Sequence, residues 1–167
     1  MKPKAVAMIS GGLDSELAAK LVLDCGVEVL GFHLVSAFAV SGEPGRTDLR
    51  AQKVARELGL ALRLEPFTDI LSRLAVSPAH GRGSNMNPCI DCRIEALKLG
   101  WKYARETGAS FLVSGEVLGQ RPMSQRREAM ALIDREADLE GRVLRPLSAL
   151  RLPPTHPQRE GDRKSVV

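Results

Sequence analysis

A short apolar run, AVAMI (Ala5 to Ile9), breaks into Ser-Gly-Gly and is followed at once by a helical stripe, and no other feature constrains the fold as much. The run has no polar alternation, which is the pattern of a strand buried on both faces. Beyond the glycines, Ala18, Leu21, Val22 and Cys25 recur at helical spacing, and Gly26 stands where such a helix would end. A second strand is expected over VEVLGFHLV (Val27 to Val35), then a loop SGEPGRTD (Ser41 to Asp48) in which Thr47 or Asp48 is placed to cap the next helix. That helix carries the stripe Ala51, Val54, Ala55 and Leu58, closed by Gly59, and a third strand follows around LALRLEPF (Leu60 to Phe67). Strand and helix in alternation predict an α/β fold, a doubly wound parallel sheet of Rossmann-like type. At 167 residues and 44% hydrophobic, the chain suffices for one such domain with a real core.

The middle of the chain reads differently. SPAHGRGSNMNP (Ser77 to Pro88) is a long Gly, Pro, Ser and Asn-rich loop, and connections of that length in compact domains usually serve function. It runs into CIDC (Cys89 to Cys92), after which Ile90, Ile94, Leu97, Trp101 and Ala104 form one helical face while Lys98, Lys102 and Arg105 lie on another. SFLVSGEVLGQ (Ser110 to Gln120) repeats the opening order of apolar strand then Ser-Gly, so a second loop should leave the same edge of the sheet. EAMALIDREA (Glu128 to Ala137) reads as helix and RVLRPLS (Arg142 to Ser148) as a short last strand. Residues 1–152 are therefore expected to form the domain, and the Pro-rich, charged tail 153–167 to be loosely ordered.

A glycine-rich turn between a buried strand and a helix start suits phosphate: backbone N–H groups converge, no Cβ blocks approach, and the helix end carries partial positive charge. A plain strand-to-helix turn would use the same residues. The loop lacks the lysine of Gly-x-x-x-x-Gly-Lys-Ser/Thr and does not match Gly-x-Gly-x-x-Gly. A net charge of +4 fits an acidic partner without requiring one. No apolar run approaches the ~18 residues of a membrane span and the first residues lack a signal-like core, so the expectation is a cytoplasmic protein without a membrane partner. Cys89 and Cys92 are open to three readings: a sulfur-transfer pair, half of an iron–sulfur or zinc site, or an ordinary loop pair. At a helix start their thiol pKa should fall. Cys25 lies on the apolar stripe of the first helix and reads as a core residue, and His80 is the remaining candidate for a further ligand.

SGGLDS, Ser10 to Ser15, resembles the signature of the PP-loop ATP pyrophosphatases, of the adenine nucleotide α-hydrolase type, and the resemblance extends from Lys4 to about Leu152. It implies that ATP is cleaved between its α and β phosphates with Mg2+ present, and that AMP is joined to a substrate oxygen. It also implies a phosphate site lined by Ser10, Gly11, Gly12, Leu13, Asp14 and Ser15, with His33 and Leu34 near the adenosine and Ser114, Gly115 and Glu116 in a second nucleotide loop. Gln120, Arg121, Ser124 and Gln125 resemble a substrate-binding stretch of a thiolase-like subgroup.

NPCIDC is similar to the Asn-Pro-x-x-x-Cys segment of the tRNA 2-thiouridylases. The resemblance implies a sulfurtransferase in which a uracil carbonyl of tRNA is adenylated and its oxygen replaced by sulfur. Cys92 is then the sulfur carrier, with Cys89 and Asp14 as further catalytic candidates. The same resemblance makes a sulfur-donor protein, such as a cysteine desulfurase or a sulfur carrier, an expected partner and an iron–sulfur cluster on Cys89 and Cys92 an alternative cofactor. A further cysteine that the 2-thiouridylases carry beyond the second loop is absent after Cys92, so a two-cysteine disulfide-exchange cycle like theirs would require Cys89 in that role. The chain also lacks room for the separate RNA-binding region of such enzymes, so RNA would be gripped by basic residues such as Lys98, Lys102, Arg105, Arg126 and Arg127, by a partner, or by the second subunit of a homodimer. An ammonia-using PP-loop ligase with a structural Cys-x-x-Cys metal site, and a non-catalytic nucleotide-binding subunit, are the competing readings.

Overall fold

The computed structural model describes residues 2–38, 46–83 and 87–159, with residues 46–48 described by their backbone alone. Five strands, β1 (Lys4–Met8), β2 (Glu28–Val35), β3 (Leu62–Pro66), β4 (Phe111–Val113) and β5 (Val143–Leu144), form one sheet in the order β3-β2-β1-β4-β5. Every pairing is parallel. Helices α1 (Leu13–Asp24), α2 (Arg46–Glu57), α3 (Thr68–Val76), α4 (Cys89–Thr107), α5 (Arg127–Glu136) and α6 (His156–Arg159) connect and follow the strands, with a 3-10 helix over Pro146–Arg151.

The continuous apolar run of β1 is explained by its central place. Ala5 and Ala7 face α1 and α2 in a cluster with Ile9, Ala18, Ala19, Val22, Ala51 and Val54. Val6 faces the other way, into a cluster with Phe32, Ile94, Leu97, Leu112 and Ile133 from α4, α5 and their strands. Helices therefore cover both faces, as expected of a doubly wound sheet. Burial of each Val, Leu, Ile or Phe side chain here is worth roughly 1.5–3 kcal/mol, which makes these two layers the main source of stability.

Three local expectations need correction. Thr68–Val76 forms α3, to which the sequence reading assigned no element; none of its residues is fully buried, so its apolar pattern is weak evidence of a core helix. The last strand is only Val143–Leu144, because Pro146 has no N–H to extend the ladder and instead opens the 3-10 helix. Residues 153–159, expected in a loose tail, fold back: Pro157 is buried, and the His156 amide donates to the Gly141 carbonyl at 2.8 Å. The expected caps Thr47 and Asp48 and residues 160–167 lie outside what is described, the first two for their side chains. Among the described residues no helix is long and apolar enough to cross a membrane.

Candidate functional site

From β1 the chain runs outward through β2 to β3, and from β4 it runs outward the opposite way to β5. The loops after β1 and β4 therefore part at the carboxyl edge and leave a crevice, the usual ligand site of an open α/β sheet. Helix α4 leads into the amino end of β4, so its own first turn, with Cys89 and Cys92, starts at that carboxyl edge.

Two hydroxyls hold the loop after β1 in a tight ring. The Ser10 amide donates to Ser15 Oγ at 3.1 Å, the two Oγ atoms lie 3.0 Å apart, and Ser15 Oγ donates to the Gly12 carbonyl at 2.8 Å. Gly11 has φ +79°, and a Cβ there would stand 2.7 Å from Cβ of Arg50. Gly12 is the N-cap of α1 and no side chain caps the helix. The N–H groups of the first turn, Leu13, Asp14 and Ser15, thus have no intrahelical acceptor. A Cβ on Gly12 would meet nothing nearer than Ser10 Oγ at 3.5 Å, so the cradle is open on that side. This donor set could hold a di- or triphosphate, and the partly exposed Asp14 carboxylate, which accepts from Gln120 Nε2 at 3.1 Å, is an oxygen donor of the kind that could hold a divalent cation. His33 is buried, and its Nδ1 donates to the Ile9 carbonyl at 2.6 Å, fixing the backbone where the loop begins. Leu34 packs against the α4 side of the core.

The second loop meets the first directly. A Cβ on Gly115 would stand 2.6 Å from both N and Cα of Ser15, so only glycine permits this approach. Glu116, expected to reach the nucleotide, is turned inward instead and is 2% exposed. Its Oε2 accepts from Ser114 Oγ at 3.1 Å and from Arg145 Nε at 2.9 Å, and its Oε1 lies 3.0 Å from Arg93 Nε. That last contact is an ion pair without hydrogen-bond alignment, which leaves Oε1 with no hydrogen bond. Arg145 completes the group by gripping both oxygens of Asp134, at 2.7 and 2.8 Å. Burial pushes the Glu116 carboxyl up, but Arg93 and Arg145 outweigh it and hold it below its ordinary value. The charges of this group balance, so it is a structural joint between β4, α4, α5 and the end of β5.

The stretch 120–125 divides. Gln120 and Arg121 are exposed, whereas Ser124 and Gln125 are buried, and Gln125 Oε1 has no hydrogen-bond partner. An open cleft lined by Gly83, Ile90, Pro122, Met123, Arg126 and Leu132 joins this stretch to the cysteine end of α4.

Cys89 and Cys92 are free thiols, both partly exposed, one helical turn apart on α4. Between them Asp91 turns inward: its carboxylate accepts from the amides of Ala79 and His80 at 3.2 and 3.1 Å and from His80 Nδ1 at 2.9 Å. His80, the candidate further ligand, is thus engaged by Asp91. The expected depression of the Cys92 pKa is not found. Burial pushes this thiol up; Arg93 pulls it back, while Cys89 and Asp91 add to the rise. Among the described residues no three His, Cys, Asp or Glu side chains gather to hold a metal ion, so Cys89 and Cys92 do not by themselves fit a cluster or a zinc site. Cys25 donates to the Leu21 carbonyl on α1 and packs beside the core.

Arg93, Asp91, Asp134 and Arg145 are the residues that sequence reasoning missed. Arg145 alone left a signal, a charge inside the apolar run RVLRPL; the others look like ordinary helix-surface charges.

Comparison with known proteins agrees with this geometry. A tRNA-specific 2-thiouridylase MnmA of Trichlorobacter lovleyi is 38% identical across 66% of this chain and 32% of its own length. A probable tRNA sulfurtransferase of Thermococcus kodakarensis is 29% identical across 88% of this chain and 37% of its own. In fold, a 4-thiouridine synthetase solved in complex with RNA and bound ATP superposes with a TM-score of 0.66 and 29% identity, over 87% of this chain and 36% of that one. The chain thus spans about a third of the length of these relatives. Residues 1–151 match the family model described as thiamine biosynthesis protein (ThiI), and the chain belongs to that PP-loop family.

Proposed function

We propose that this chain binds ATP with Mg2+ at Ser10–Ser15, joins AMP to a uracil carbonyl oxygen of tRNA with release of pyrophosphate, and replaces that oxygen by sulfur carried on Cys92. The observation that carries the reading is the pairing, at one sheet edge, of an uncapped glycine-bounded helix start with a helix start bearing two free thiols. The likeness to a 4-thiouridine synthetase with bound ATP and RNA and to tRNA thiolases supports it.

The loop N–H groups and serine hydroxyls would hold the β and γ phosphates, leaving the α-phosphorus facing the substrate oxygen, and Asp14 would hold Mg2+ against the phosphates. Mg2+ neutralises charge on the departing pyrophosphate. Transfer of AMP turns a poor oxygen leaving group into a good one, so sulfur can attack the carbon and AMP departs. With Cys92 carrying the sulfur as a persulfide, attack of the Cys89 thiolate on the Cys92 sulfur would release the thiolated base and leave a Cys89–Cys92 disulfide, which an external thiol reduces. Cys89 would thereby act as the resolving thiol. Gln120 and Arg121, exposed beside the cleft, are the residues offered to the base or its backbone.

A sulfur-donor protein must load Cys92, and the exposed Lys98, Lys102 and Arg105 on α4 are available to nucleic acid or to that donor. The test is pyrophosphate release and sulfur incorporation from ATP, tRNA and a persulfide donor. Magnesium-dependent release together with incorporation supports the reading; release without incorporation on any tRNA overturns it in favour of an ammonia-using ligase.

A further inference from the structure

We propose that Arg93, ion-paired with Glu116, is a positioning residue that makes the cysteine end of α4 respond to nucleotide in the Ser10–Ser15 loop. The inference rests on the reading that Cys92 is the reacting sulfur. A continuous set of contacts joins the two places. The backbone of Ser15, in the first turn of α1, lies so close to Gly115 that a Cβ there would be 2.6 Å away, so movement of that turn is passed to the second loop without slack. Gly115 is followed by Glu116, whose Oε2 accepts hydrogen bonds from Ser114 and Arg145. The other oxygen faces Arg93 Nε at 3.0 Å, and Arg93 is the residue after Cys92 on α4.

The proposal places the moving part at the Arg93 contact, where the ion pair lacks an aligned hydrogen bond. Glu116 Oε1 is buried and accepts no hydrogen bond although a guanidinium stands beside it. A buried carboxylate oxygen in that state gains from any small rotation that aligns the N–H with it. A phosphate drawn against the first turn of α1 would shift Ser15 and Gly115 and, with them, Oε1. Arg93, about one third exposed, is free to follow and carries the backbone of Cys92 with it. Coupling of this kind needs a contiguous contact path, which these contacts supply, and an element with two arrangements, which the proposal places at the Arg93–Glu116 contact. Arg145, which is buried, cannot play this part because Asp134 holds its fork at both ends.

The test uses the whole chain without tRNA. Cys92 alkylation by iodoacetamide is followed by peptide mass spectrometry, with and without a non-hydrolysable ATP analogue and Mg2+, and with a cysteine-free peptide of the same digest as internal reference. The wild type is expected to change its Cys92 rate at least fivefold on saturation with the analogue. Arg93→Ala is expected to keep analogue affinity within threefold while its Cys92 rate changes less than 1.5-fold, and Arg93→Lys to recover part of the response. A wild-type change below twofold, or an undiminished response in Arg93→Ala, overturns the proposal. Because sulfur transfer is not measured, failure of the thiolation reading would be seen separately, in the tRNA assay.

Discussion

Helices α1 and α4 both begin at the carboxyl edge of the sheet, both lack a side-chain cap, and both carry an aspartate in the first turn. Asp14 in α1 stays partly in solvent with one contact, from Gln120. Asp91 in α4 is buried and takes three donors from the loop before its helix. The residue before α1 is a glycine with space around it, and the residue before α4 is a proline. A helix start serves a ligand only where its acid and its backbone donors are left unclaimed. Where the acid has been used to anchor a loop, the same start becomes a joint, and what it offers to chemistry is the side chains beside it.

The contrast is broken most directly at Cys92. Cys92→Ser should lower sulfur incorporation into tRNA on the order of 10³-fold, about 4 kcal/mol of barrier, while magnesium-dependent pyrophosphate release stays within about threefold. Equal loss of both would mean that the two helix starts do not divide the labour. Gly115→Ala forces a Cβ onto the backbone of Ser15, and a rigid neighbour of that kind should cost about 3 kcal/mol in urea melts and weaken nucleotide binding with it. A variant as stable as wild type would show that α1 and the second loop are not in hard contact. Asp91→Ala leaves the amides of Ala79 and His80 without their acceptor; a loss of about 2 kcal/mol and faster hydrogen exchange at those amides are expected, with nucleotide affinity unchanged.

Acidification sharpens the same point. For Asp91, burial acts upward, but the bonds and charge from His80 outweigh it and hold the folded carboxyl below the ordinary 3.8; Glu116 is likewise held below 4.5. Below those ordinary values the unfolded chain binds protons that the folded chain refuses, so stability contributed by both groups is present above about pH 4.5 and falls as pH drops through their folded values. Asp91→Asn should flatten part of that fall in acid-titrated melts; an unaltered profile would count against the clamp. The smallest effect belongs to the exposed Lys98–Glu95 pair, where Lys98→Ala should change stability by less than about 0.5 kcal/mol. Its effect on tRNA affinity at low salt would show whether that face meets nucleic acid.

The sheet was legible because β1 has no polar residue between Ala5 and Ile9 and because the stripe Ala51, Val54 and Ala55 falls on one side of α2, where all three are buried. The glycine-bounded turn after β1 was legible because a glycine pair flanked by serines directly ends a buried apolar run. Helix α3 escaped because its apolar residues Ile70, Leu71 and Leu74 are only half-buried, in a helix that packs beside α4. Glu116 was read as reaching the nucleotide because Ser-Gly-Glu says nothing of two arginines that arrive from 23 residues earlier and 29 later.

Local grammar alone thus determined the strand order's raw material, the open helix start of α1 and the two thiols on α4, since each depends on residues within one helical turn or one strand of one another. Whether an acid at a helix start stays in water or is buried, which way Glu116 turns, and whether the Cys92 thiol is pushed up or down depend on charges that meet only when distant segments pack. Electrostatic energies in a buried site scale with those distances and with the loss of water, and neither exists until the chain has folded.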